Sequence, residues 1–269
     1  MRTLSRGALA VVLSITGLAA PMAASAALSR AQLEDLEHHL WQVRTDYHMY
    51  AVMDGNDTYR VALTEAAQQA AEALDELRAA SESDAERALV ADLADQWQRM
   101  AADQALPAPG DAEGEAASGD PRRLDDLPAE MAAGIDDFEG AADGDYDDVH
   151  GLISELQQLT SSYVAIIADN NDDDGEAQQD RGAFEQAVPA FSDRLKRVQA
   201  AHRGDGNLNR TLEQAALKWG FIRSSMLKFG DDAVPFLVYR YTSQMTSSLQ
   251  QAVELATSEV TKPTIGPPE

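Results

Sequence analysis

From Ser29 onward, apolar side chains recur at alternating steps of three and four, and this rhythm limits what the chain can build more than any other feature. Leu33, Leu36, Leu40, Val43, Tyr47 and Tyr50 line one face of the first stretch. A helix carrying such a seam must bury it against other helices, as in coiled coils and antiparallel bundles. Ala, Leu, Glu, Gln and Arg dominate, β-branched runs are rare, and Gly, Pro, Asn or Asp marks each break. The expected fold is all-α, with no substantial sheet.

The same seam returns 116 positions later as Val149, Leu152, Leu156, Leu159, Tyr163 and Ile166. Leu63, Ala67, Ala70, Leu74 and Leu77 reappear after 121 positions as Phe184, Val188, Phe191, Leu195 and Val198. Val90, Trp97 and Met100 meet Leu212, Trp219 and Ile222 at an offset of 122. Pro121, Leu124, Leu127, Met131 and Ile135 meet Pro235, Val238, Tyr241, Met245 and Leu249 at 114. Heptad helices slide into register easily, so the weight rests on two further features. The offset changes only at connectors, where insertions are tolerated, and tyrosine falls on tyrosine and tryptophan on tryptophan. The chain therefore reads as an antiparallel helical bundle built from two tandem four-helix repeats.

The first repeat has helices near 29–53, 57–80 and 82–103, within residues 27–104. An acidic Pro/Gly/Ala-rich stretch over 105–123 has no seam and is expected to be a flexible loop. The fourth helix lies near 121–142, or 124–144 once that loop is set aside. The second repeat fills 145–260, with helices near 146–168, 179–202, 206–229 and 232–258. Residues 261–269 form an expected disordered tail.

Residues 1–26 have the layout of a secretory signal peptide: Arg2 and Arg6, an apolar run from Gly7 to Ala20, and the small-residue end Ala24-Ser25-Ala26. The run is shorter than the roughly 20 residues needed to span a bilayer. Cleavage near Ala26 is expected, giving a periplasmic or secreted chain without a membrane span. The absence of cysteine excludes disulfides, thiolate metal sites, covalent c-type haem and cysteine nucleophiles, so stability must come from the core alone.

With 21 basic and 46 acidic residues the chain carries a formal charge of −25, and −27 without Arg2 and Arg6. Such a field repels nucleic acid and anionic membranes. It reads first as solubility in salty surroundings, where carboxylates are screened, and second as selection of a cationic partner.

The most acidic run is "DNNDDDGE", residues 169–176. Tyr47 to Arg60 spans 13 residues and Tyr163 to Arg181 spans 18, so this run occupies a lengthened connector opposite "MDGNDT". Asn, Asp and Gly suit such a bend because they tolerate left-handed backbone and bond their own main chain. As an EF-hand, Gly175 in sixth place puts Asn170, Asp172 and Asp174 at the first, third and fifth positions, but Arg181 where the closing glutamate belongs. The connector reading is preferred; the metal alternative is an open calcium site of Asp172, Asp174 and Glu176.

Other chemistry is thinly supported. Asp35/His38 and Asp147/His150 have the acid–histidine spacing of dinuclear bundles. They do not correspond under the repeat, because Asp35 maps to Gly151, and the histidines are expected at the surface. No Gly-x-Ser-x-Gly elbow or phosphate-cradling glycine loop occurs. Neither an enzyme nor a cofactor is expected.

The stretch "WGFIRSSMLKFGDDAVPFLVYRY", residues 219–241, holds six of the chain's 16 aromatic residues. Asp231 and Asp232 suit a helix start, and Pro235 its first turn. Aromatics at this spacing first suggest a well-packed core. The functional alternative is a ligand or partner pocket walled by Trp219 and Tyr241, with Arg223 and Arg240 fixing an anionic group.

In layout alone, exported four-helix units without cysteine, the chain resembles the periplasmic sensing modules of bacterial chemoreceptors and type IV pilus-linked transducers. No residue role follows from that likeness. The expected function is non-catalytic binding of a partner protein or small ligand. The alternative is periplasmic buffering of a calcium-like cation by acidic inter-helix loops, although the first repeat offers only "MDGND" for that purpose.

Overall fold

The computed structural model describes residues 28–102, 122–169 and 175–260. These form an all-helical bundle: α1 Arg30–Val52, α2 Asp57–Ala80, α3 Asp84–Ala102, α4 Arg122–Asp136, α5 Asp147–Ala168, α6 Gly175–Ala201, α7 Gly206–Ile222 and α8 Pro235–Val260. The expected signal segment, most of the acidic Pro/Gly/Ala loop and the C-terminal tail lie outside the described residues.

Local sequence fixes several helix starts. Ser29 and Gln32 form a reciprocal capping box at the start of α1. Ser83 and Glu86 do the same for α3, and the Glu86 carboxylate also accepts from the backbone N–H groups of Leu28 and Glu82. Between α1 and α2 the chain reverses through Asp54 and Gly55, both at positive φ, and the Asn56 side chain accepts from Thr58 N–H. Pro235 opens α8, where its missing N–H costs no helical hydrogen bond.

Two helix ends differ from the sequence expectation for tertiary reasons. The fourth helix stops at Asp136, before the expected 142 or 144. The following segment instead pairs with the chain entering α1: Ala142 N–H donates to Leu28 C=O at 2.7 Å, and Arg30 N–H to Ala142 C=O at 2.9 Å. The seventh helix stops at Ile222 rather than near 229. The connector is gathered around the Tyr163 hydroxyl, which accepts from Val234 N–H at 3.1 Å and lies 3.4 Å from the carbonyls of Ser225 and Lys228. A 3-10 turn at Gly230–Asp232 then precedes α8.

Each set of four helices packs in a closed circuit. α1 contacts α2 and α4, with α3 completing the set, and α5 contacts α6 and α8, with α7 completing it. The first core contains Leu33, Leu36, Leu40, Val43, Leu63, Leu74, Trp97 and Ile135. The second contains Leu152, Leu156, Tyr163, Phe191, Leu212, Trp219, Val238 and Met245, and takes in Met49 and Tyr59 from α1 and α2.

The circuits are fused along α1 and α5, which therefore bury two faces each. Sequence periodicity shows only the apolar face of α1. Its second buried face holds His38, Trp41, Thr45 and His48, and small residues of α5, including Gly151, Ser154 and Ser161, are buried in turn. Cross-links are polar: Gln157 Nε2 donates to Thr45 Oγ1 at 3.0 Å, and Arg44 Nη1 to Ser161 Oγ at 3.0 Å. The expectation of surface histidines is accordingly corrected, because His38, His48 and His202 are all buried. Polar residues read as surface when only one helix face is assigned to a core.

Candidate functional site

On α7, Leu208, Leu212, Ala215, Trp219 and Ile222 share the inward face. One turn apart on the opposite side, Leu217 and Phe221 are 74% and 75% exposed. On α8, Val238, Thr242, Met245 and Leu249 point inward, while Leu237 and Tyr241, again one turn apart, lie toward the outside. The Phe221 and Tyr241 rings stack with centroids 6.3 Å apart and planes 7° from parallel, joining the two pairs across the helix boundary. Leu227 and Phe236 add further exposed apolar surface at the α7–α8 connector and the start of α8. An aggregate of large apolar groups on a water-facing surface marks a contact site more often than scattered single residues do.

Arg223, Lys228 and Arg240 are exposed here. They make no ion pair with any described residue, although the chain has 46 carboxylates. Residues 175–260 carry ten acidic and ten basic side chains, so the whole net charge of −25 belongs to the rest of the chain. A shallow neighbouring groove between α6 and α7 is lined by Lys196, Arg203, Asn209 and Glu213, among others. The α6–α8 sector is thus electrostatically distinct from the remainder.

The four residues singled out from sequence separate into two groups. Tyr241, Arg223 and Arg240 belong to this outer region. Trp219 does not: it is 3% exposed, its Nε1 donates to Ser192 Oγ at 2.8 Å, and its ring meets Phe191 edge-on at 4.5 Å. Phe221, the ring that builds the surface, was not singled out; its place opposite the Leu212–Trp219 seam is the signal that identifies it. Of the candidate calcium ligands, Asp172 and Asp174 lie outside the described residues, and so does the side chain of Glu176. Gly175 opens α6, so the residues after it are helical instead of forming the second half of an EF-hand loop.

A second polar region lies inside the fused seam. Burial, reinforced by Asp147 and Glu37, pushes the Glu34 carboxyl up to about 7. Arg194 approaches Glu34 across Gly151, where an added methyl would overlap the guanidinium, and pairs with Glu155 at 2.9 Å. Asp35 pairs with His39 at 3.7 Å, not with His38. Burial drives His38 down to about 3, so it is neutral. Asp46 is fully buried and neither of its oxygens makes a hydrogen bond of normal geometry. Burial lifts its carboxyl to about 7, opposed by the facing Tyr239 hydroxyl and reinforced by Glu65. Among the described residues no group of three or more His, Asp or Glu is arranged to hold a metal ion.

No protein-family model, curated protein sequence or solved structure matches the chain. The class defined by the fold is an all-helical bundle, and among the described residues no helix is long and apolar enough to cross a membrane.

Proposed function

We propose that this is a non-catalytic, periplasmic or secreted protein that binds a partner through the outer face of α7 and α8. The observation carrying this reading is the exposed Phe221 ring stacked on half-buried Tyr241, flanked by Leu217 and Leu237 and accompanied by arginines that no described carboxylate engages. Apolar area gives such a surface its affinity, and uncommitted charge gives it selectivity. Export is supported by the signal-like composition of residues 1–26. A tandem origin of the two four-helix sets is proposed with it, supported by the recurring seams and by the same circuit of neighbours in each set.

Photo-cross-linking side chains placed at Leu217 and Phe221, and at Val61 of α2 as an exposed control, test the assignment in cells that make the protein. Discrete adducts from 217 and 221 but not from 61 are expected. Equal labelling at all three positions, or none, refutes the reading.

A further inference from the structure

We propose that the partner segment on this face is an acidic amphipathic helix, packed over the Phe221–Tyr241 stack where α7 and α8 meet. This rests on the reading of that face as the docking surface. Leu217 and Phe221 lie one turn apart on α7, as do Leu237 and Tyr241 on α8, and the stacked rings bring the two pairs together. Apolar anchors brought side by side by two packed helices suit a third helix that presents its own anchors at steps of three and four.

Charge selects the sign of the occupant. Arg223, Lys228 and Arg240 are exposed and free of ion pairs among the described residues, within a sector whose formal charges balance. Carboxylates beside the apolar anchors of a docked helix would give these cations the partners they lack among the described residues. A basic segment finds better attraction on every other part of so acidic a chain. An anionic membrane is disfavoured because a flat surface large enough to cover the patch also approaches the acidic helices, whereas a helix-sized partner does not. A second copy meeting face to face sets like cations opposite one another, which is unfavourable.

Calorimetry with the full chain and synthetic amphipathic helices of roughly 18 residues, long enough to hold helical structure, tests this. One probe carries leucine on one face and glutamate on the other; its counterpart replaces glutamate with lysine. Saturable binding of the glutamate probe is expected, weakened by salt and by about tenfold in Arg223→Glu/Arg240→Glu. It should be lost in Phe221→Ser, whose melting temperature must stay at the wild-type value. Preference for the lysine probe, binding only to phosphatidylglycerol vesicles, self-association abolished by Phe221→Ser, or no binding overturns the proposal. Site-specific cross-links at 217 and 221 without glutamate-probe binding leave the docking face standing and remove only its acidic partner.

Discussion

His202 Nε2 stands 2.9 Å from Asp148 Oδ1, joining the end of α6 to the first turn of α5, while its Nδ1 lies 2.8 Å from Asp205 Oδ2 just before α7. Tyr146 stacks on the imidazole at 5.8 Å. One ring therefore pins three helix ends of the second set. Burial opposes its charge, but the hydrogen bonds that its ring N–H groups donate to Asp205 and Asp148 prevail and raise its pKa above 6.5. A raised folded-state value means that the imidazolium stabilises the fold fully below pH 6.5 and that this contribution disappears as pH rises through the folded value. His202→Gln should flatten the fall in melting temperature between weakly acidic and weakly alkaline solution. Calorimetric melts across that interval, with a nuclear magnetic resonance titration of the ring, check it.

Asp46 gives a second pH dependence of the same sign from a different cause. Its carboxyl moves from an ordinary value of 3.8 to about 7 because it is buried beside Tyr239 and Tyr59 without a well-formed hydrogen bond. The neutral acid is the form that fits, so its contribution is complete below 3.8 and is lost as pH rises through about 7. Asp46→Asn should match wild type only below pH 3.8 and exceed it near pH 8, by an amount on the order of a few kcal/mol. Urea unfolding at the two pH values decides this. Glu34, shifted in the same direction, should leave a residual slope.

Glu86 has the opposite sign. Backbone N–H groups of Ser83, Glu82 and Leu28 hold its carboxyl down at about 2. Its stabilisation is present above 4.5 and is lost as pH falls through about 2. Glu86→Ala removes the acceptor of three donors and should cost about 1–3 kcal/mol at neutral pH. The loss should shrink in strong acid. Denaturant melts of the variant at neutral and acid pH measure it.

Trp219 tests the interior of α6 and α7. Trp219→Phe removes the 2.8 Å bond to Ser192 Oγ and leaves that buried hydroxyl with only its bond to Val188 C=O. A loss of about 1–2 kcal/mol is expected. Adding Ser192→Ala should cost less in this background than in wild type, because the two positions share one interaction. A double-mutant cycle by urea unfolding reports the coupling, and equal costs in both backgrounds contradict it.

The apolar face of every helix was legible in the chain. Leu33, Leu36 and Leu40, or Phe184, Val188 and Phe191, advertise burial because helical geometry maps steps of three and four onto one side. Caps such as Ser29–Gln32 are similarly local and similarly visible. The outer pair Leu217 and Phe221 was readable in principle, since both fall opposite a well-marked seam, but apolar residues in an aromatic-rich stretch look like core until a neighbour is excluded.

Helical structure and the inward stripe of each helix can be read from the chain alone, because both follow from contacts within a few residues. Packing between distant helices is what covers α1 and α5 twice, turning His38, Asp46 and Thr45 into interior groups. It alone also stopped α7 at Ile222, where the Tyr163 hydroxyl gathers the connector. The physical reason is the same in both cases: desolvation and long-range hydrogen bonds depend on which helices meet, and periodicity along one helix carries no information about its second neighbour.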